Sequence, residues 1–421
     1  MREREIDKYA IVKFLLCIAM LLILTNGGGG AAESTYLYNV EFKYALTFIG
    51  FLEILALLFV MFINKEIKID IIVILLFLKL ILFTVQLIYN PNSLDSLKTY
   101  LAVIEALIFY IIFISVPKEY MNRFAINFVE ILLIVISLQT MYITLKLNFS
   151  GIEFWRIKDY ISIPIGRSNN IASYIVMIIA FVICNEENKI KRNLLIIISL
   201  IGILFTTSKS AIVVYAIVLI TEFFSFKNLK SDRKKIFVGI LIAIVFYSIV
   251  KILMDIFPDF FEQYKLMYDR LLSGTESGTE MAFNGRFDIY KVAIEEIKNN
   301  FFLGVGLNYP SIVIGTLAHN IILDAFLRAG VFNVILMMAY FGVIAFNLWK
   351  FRKVNNIIRG TGKMLFFVLL QSLWEPNIGG FMYDFTLWML IGLGVRNIYE
   401  TKINQDVIIM DNREKGVANE N

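Results

Sequence analysis

The chain is short of the residues that build metal centres and disulfide frameworks. Its 421 residues include one histidine, two cysteines and six prolines. A single imidazole excludes any metal cluster made of several histidines. Cys17 and Cys184 lie inside apolar segments and form no CxxC pair, so neither a structural zinc site nor a disulfide framework is supported. The nucleotide-binding patterns GxxxxGK[ST] and GxGxxG are also missing, and Gly304-Val305-Gly306 alone is too little for a phosphate loop. What is abundant is apolar sequence. Hydrophobic residues make up 58% of the chain and mean hydropathy is +0.73, in uninterrupted runs that approach 20 residues and lack strand-like alternation. Such runs indicate helices that cross a bilayer rather than a soluble core or a barrel.

The expected architecture is an all-α, polytopic integral membrane bundle forming one domain over 1–421. About twelve spans are expected, near 10–25, 43–63, 69–89, 99–116, 124–145, 168–184, 192–207, 209–226, 236–256, 331–349, 363–375 and 381–398. A large extracytoplasmic loop with short helices covers 257–330, and a cytoplasmic tail covers 400–421. Charged Met1–Lys8, the following apolar run and small residues Gly27–Ala32 resemble a signal peptide. An uncleaved first span is the preferred reading, because a polytopic chain follows. Basic residues set the orientation: alternate loops and the two termini carry 24 of the 40 Lys and Arg, so both termini are expected in the cytoplasm. This bias accounts for the net charge of +5 without nucleic-acid binding. The localisation that follows is the cytoplasmic membrane.

That topology gathers five polar motifs on the outer side: Gly166-Arg167-Ser168-Asn169-Asn170, Thr206-Thr207-Ser208-Lys209-Ser210, Gly285-Arg286-Phe287-Asp288, Ala318-His319-Asn320 and Trp374-Glu375-Pro376-Asn377. The inner loops are short and basic, so the chemistry is expected outside. Residues 285–300 read as an amphipathic helix, with Phe287, Tyr290, Ile294 and Ile297 on one stripe. It would rest on the membrane or cap the bundle. A short helix over Ile321–Arg328 is expected to end at Gly330, where the next span begins. Trp155, Arg156 and Lys158 read as an interfacial belt. Glu53 and Lys79 lie at matching depths, about ten residues below the outer ends of their spans. They are expected to form a structural ion pair, with Glu105 a possible third member, because an isolated charge there is expensive.

The run Gly285-Arg286, Leu303-Gly304-Val305-Gly306, Ala318-His319-Asn320, Leu327 and Gly330 resembles the signature of the O-antigen ligase and O-antigen polymerase family of membrane glycosyltransferases. Asn170 opening a span and the Thr206–Ser210 knot agree in order and side. The resemblance covers roughly residues 160–350. Three positions depart from the family pattern. Ser208-Lys209-Ser210 stands for Ser-Arg-Gly, Tyr290 for a Trp, and Phe301 for a Pro. These departures favour the polymerase branch over the ligase branch.

The resemblance implies undecaprenyl-diphosphate-linked oligosaccharides as substrates, with flippase and chain-length regulator proteins as possible partners. No cofactor is expected, since no metal cluster is evident and Arg286 and Lys209 could stabilise a diphosphate without one, although the outer carboxylates leave room for an exchangeable cation. It implies His319 as the base for an acceptor hydroxyl and Arg286 as the cation on the donor diphosphate. Lys209, Arg167, Asn170 and Asn320 are the implied substrate contacts. For each residue the ordinary reading stands beside this one. His319 could bond a backbone carbonyl at a helix start, Arg286 could pair with Asp288, Lys209 could be a solvated turn residue, and Arg167 could anchor a span at the interface. The expected function is polymerisation of lipid-linked repeat units into a surface polysaccharide. A ligase that moves finished glycan to another acceptor is the nearest alternative. A lipid-linked sugar flippase is the rival from another class; no internal repeat of the transporter kind is visible.

Overall fold

A computed structural model describes residues 7–26, 45–65, 67–89, 94–152, 157–223, 286–375, 378 and 381–418. The expected span 236–256, the first part of the loop through Gly285, Trp155, Arg156, Pro376, Asn377, and the termini at Met1–Ile6 and Gly27–Ala32 lie outside the described residues. The helices are α1 (Ala10–Asn26), α2 (Ala45–Asn64), α3 (Ile71–Tyr89), α4 (Leu94–Ser115), α5 (Lys118–Phe149), the short α6 (Ile157–Tyr160), α7 (Ser168–Asn185), α8 (Lys189–Thr206) and α9 (Lys209–Phe223). After the gap come α10 (Arg286–Asn299), α11 (Ile321–Phe351), α12 (Asn356–Ser372) and α13 (Phe381–Ala418). Every expected span that falls within the described residues therefore holds a helix. Among the described residues, five stretches are long and apolar enough to cross a membrane: α3, Ser96–Ser115 of α4, α5, α7 and α11.

α7 is the centre of the bundle. It is apolar on all sides, and every residue from Ile171 to Asn185 is buried, as befits a helix with no face left for lipid. α5, α8, α9 and α12 pack against it, while α4 packs on α13, and α3 on α11. At the end of the bundle away from the polar motifs, Asp70 accepts from the amides of Ile72 and Val73 at 3.0 Å and so caps α3. Its other oxygen accepts from the hydroxyls of Tyr110 and Tyr399, both at 2.7 Å, which ties α3, α4 and α13 together.

Two helices break where the sequence places small or polar residues. α8 ends at Thr207, which lies in the left-handed region (φ 56°), and α9 starts two residues later. In α11 the helical path is interrupted at Ala329 and Gly330, the latter at φ 67°. The break frees backbone groups that the preceding loop satisfies. Leu327 O accepts from the amides of Val305 (2.7 Å) and Gly306 (3.1 Å), and Val331 N donates to Phe301 O at 2.9 Å. A Cβ on Gly330 would overlap the Phe302 carbonyl, so glycine is required both for φ and for close approach. The Gly304 turn (φ 72°) lies against the same break.

Two features differ from the sequence reading. A two-stranded antiparallel hairpin, β1 (Ser162–Ile163) and β2 (Gly166–Arg167), precedes α7 and is buried apart from Arg167. And among the described residues no ion pair joins Glu53 to Lys79. Lys79 Nζ donates to the Tyr340 hydroxyl at 3.3 Å and lies over the Phe83 and Tyr340 rings. Glu53 lies instead near Glu105 of α4, the helix that α2 packs against. The depths match, but α3 turns Lys79 toward α11 while α2 turns Glu53 toward α4.

Candidate active site

The polar motifs meet at one end of the bundle, around the buried carboxylate of Glu375. This residue follows α12, whose last turn continues to it through Trp374 N and Glu375 N donating to Gln371 O, each at 2.9 Å. Gln371 Nε2 donates to Ser173 Oγ at 2.8 Å, which fixes that turn against α7. Glu375 Oε1 accepts from Asn169 Nδ2 at 2.7 Å and from Arg286 Nη2. Its Oε2 faces His319 Nδ1 at 3.2 Å. Its side chain is only 7% exposed, so its charge is neutralised by these partners rather than by water. Burial pushes the carboxyl up. The His319 hydrogen bond and the Arg286 charge outweigh that and hold it below the ordinary value.

Arg286 is the first residue of α10, and Tyr290 stands one turn further along the same face. The Tyr290 hydroxyl donates to His319 O at 3.3 Å. Burial raises its pKa, with opposing effects from the Arg286 and Glu375 charges. Arg286 is thus not paired with Asp288, whose partner is Lys291 at 3.5 Å.

His319 sits just before α11 with φ 50°, a left-handed conformation costing a non-glycine residue about 1–2 kcal/mol. Its surroundings over-determine that shape. Ala293, Tyr309, Ala318 and Leu327 form a small core beneath the loop. Ala318 N donates to the Tyr309 hydroxyl at 2.9 Å, and that hydroxyl donates to Asp324 Oδ1 at 2.8 Å. Asp324 in turn accepts from Arg328 Nε at 2.7 Å, and Arg328 reaches Thr99 Oγ1 on α4 at 2.9 Å. Because a carboxylate only accepts, the proton between Glu375 and His319 sits on Nδ1, leaving the Nε2 lone pair available. The histidine ring is 26% exposed, enough for a solute to reach it.

Asn320 is the N-cap of α11: its Oδ1 accepts from Ile322 N (2.9 Å) and Leu323 N (3.2 Å), and its Nδ2 donates to Leu373 O at 3.2 Å. Arg167 and Asn170 are both exposed at the start of α7, and the Asn170 side chain packs on Gly166. Ser168 Oγ donates to Thr206 O, which joins this start to the α8–α9 junction. At that junction Lys209 opens α9, and the buried hydroxyls of Thr207 and Ser208 have no hydrogen-bond partner among the described residues. No group of three or more metal-ligating side chains occurs among the described residues.

The residue that motif reading left without a role is Glu375, although its motif was among the five. Arg286, the His319 ring and the Asn169 amide, on other segments, all needed an acceptor, and Glu375 is a carboxylate next to an apolar span. That combination was the available signal.

A multi-pass helical membrane protein with a compact charged site at one end of its bundle is the class these features define. The family model described as O-antigen ligase matches residues 194–338, a stretch that includes the α8–α9 junction, Arg286, His319 and the break in α11. The match covers about a third of the chain and supports a likeness to the O-antigen ligase and polymerase family. No curated protein matches the chain.

Proposed function

We propose that the protein polymerises undecaprenyl-diphosphate-linked oligosaccharide repeat units into a surface polysaccharide at the outer face of the cytoplasmic membrane. The observation that carries this reading is the convergence of Asn169, Arg286 and His319 on the buried carboxylate of Glu375. It joins a cation suited to a diphosphate with a histidine whose Nε2 is free to accept a proton. In the proposed step His319 Nε2 takes the proton of an acceptor sugar hydroxyl. The sugar oxygen bonds the anomeric carbon of the growing chain. The bond from that carbon to the lipid diphosphate breaks, and the electron pair leaves on the diphosphate. A positioned base contributes roughly 10²–10⁴ in rate.

The diphosphate would lie between Arg286 and the start of α9. A helix N-terminus offers free amides to an anion, and the unpartnered Thr207 and Ser208 hydroxyls add donors there. Lys209 supplies a point charge, and Arg286 a planar fork. Exposed Arg167 and Asn170 border the same junction and are assigned to the sugar or diphosphate. Asn320, with its amide engaged in capping and with Leu373, acts by holding His319 in place. The departures at Lys209, Tyr290 and Phe301 favour the polymerase over the ligase. Reconstitution with lipid-linked repeat units tests the reading. A ladder of products supports polymerisation, one-step transfer to a different acceptor means ligase, and movement of lipid without a new bond means flippase.

A further inference from the structure

Glu375 holds Arg286 and His319 on its two different oxygens, so the cation assigned to the donor and the base assigned to the acceptor share one counter-charge. We propose that Glu375 is a positioning residue that the donor diphosphate transfers from Arg286 to His319, so that the base is fully engaged only when the donor is bound. This rests on the diphosphate reading above.

The guanidinium neutralises Glu375, and the imidazole shares what is left of that charge. A diphosphate carries more negative charge than a carboxylate and matches the guanidinium fork, so it competes for Arg286. Once Arg286 turns to the diphosphate, a carboxylate with 7% exposure keeps only the Asn169 amide and the His319 ring. A buried carboxylate without its cation is strongly destabilised, and the imidazolium formed by proton uptake at Nε2 is the replacement cation. The acceptor hydroxyl is therefore deprotonated most readily when the leaving group is in place. Linkage makes the effect reciprocal: a protonated His319 frees Arg286 for the diphosphate. Tyr290 follows both partners from one side, since α10 carries Arg286 and Tyr290 one turn apart.

This arrangement gives opposite signs for binding and turnover, which a purely structural Glu375 would not. The test uses the full chain in detergent with farnesyl diphosphate as probe. Glu375→Gln removes the competing charge at nearly constant shape, so the probe should bind about 5-fold or more tightly than to wild type. Turnover on lipid-linked repeat units should fall at least about tenfold, because the base loses its orienting charge. Arg286→Gln should abolish probe binding. A second measurement needs no variant: with ¹⁵N-histidine the protein gives one imidazole, and its Nδ1 resonance should shift when farnesyl diphosphate is added. If Glu375→Gln binds the probe as wild type or more weakly, or the wild-type Nδ1 resonance does not move, the transfer is wrong while the diphosphate reading stands. If Arg286→Gln binds the probe as wild type does, the diphosphate reading itself fails.

Discussion

The break in α11 makes a prediction in which one substitution has opposite effects at two positions of the same helix. Gly330→Ala puts a side chain at φ 67° and into the Phe302 carbonyl. The conformation alone costs of order 1–3 kcal/mol. Relief of the overlap must push the 301–306 loop away. That loop satisfies Leu327 O and Val331 N through three hydrogen bonds of 2.7, 3.1 and 2.9 Å, each worth about 1 kcal/mol net. The expected loss is about 4–6 kcal/mol, a large part of the roughly 5–15 kcal/mol that holds a typical fold. Gly342 lies further along α11 and a Cβ there meets nothing within 4 Å. Gly342→Ala should be neutral or stabilise by up to about 1 kcal/mol through helix propensity. Thermal unfolding of the full chain in detergent, read by size-exclusion chromatography after heating, measures both. Equal melting temperatures for Gly330→Ala and Gly342→Ala would refute the account of the break.

Three further outcomes are expected. Glu375 titrates below its ordinary value of 4.5, so its contacts contribute stability in full above that value and lose it as pH falls through the lower folded value. The melting difference between wild type and Glu375→Gln should be constant at neutral and mildly acidic pH and close below about pH 4. Tyr309→Phe removes the hydroxyl that both accepts from Ala318 N and donates to Asp324 Oδ1, leaving the Ala318 amide unpaired and Asp324 with Arg328 alone; it should destabilise by about 1–3 kcal/mol and lower activity through displacement of His319. In double-mutant cycles on stability, Glu53→Gln and Glu105→Gln should be coupled, whereas Glu53→Gln and Lys79→Met should add within about 0.5 kcal/mol.

Much of this was legible in the amino-acid sequence because it depends on local chemistry. Apolar run length marked the helices, and the helix α10 and the short helix ending at Gly330 were readable from periodicity and from glycine; the face α10 buries is centred on Ala293, whereas Phe287 and Ile294 of the expected stripe are exposed. So was the grouping of five motifs at one end, since it follows from counting spans. Which side chains touch was not. Depth along a helix can be computed from its rise, but the direction a residue faces depends on which helices become neighbours. Glu53 and Lys79 matched in depth and still face different partners. Glu375 drew no role for the same reason: its importance lies in Asn169, Arg286 and His319, distant in sequence and brought together by α7, α10 and α11. The hairpin at 162–167 was invisible because two-residue strands carry no periodicity.

The central claim is that one histidine, set on Glu375, activates the acceptor in a polymerisation. The most direct test follows product ladder and released lipid diphosphate together, in reconstituted wild type and His319→Ala supplied with lipid-linked repeat units. The account predicts both products from wild type and neither above background from His319→Ala, with farnesyl diphosphate still bound by the variant. A ladder formed by His319→Ala at the wild-type rate would contradict it.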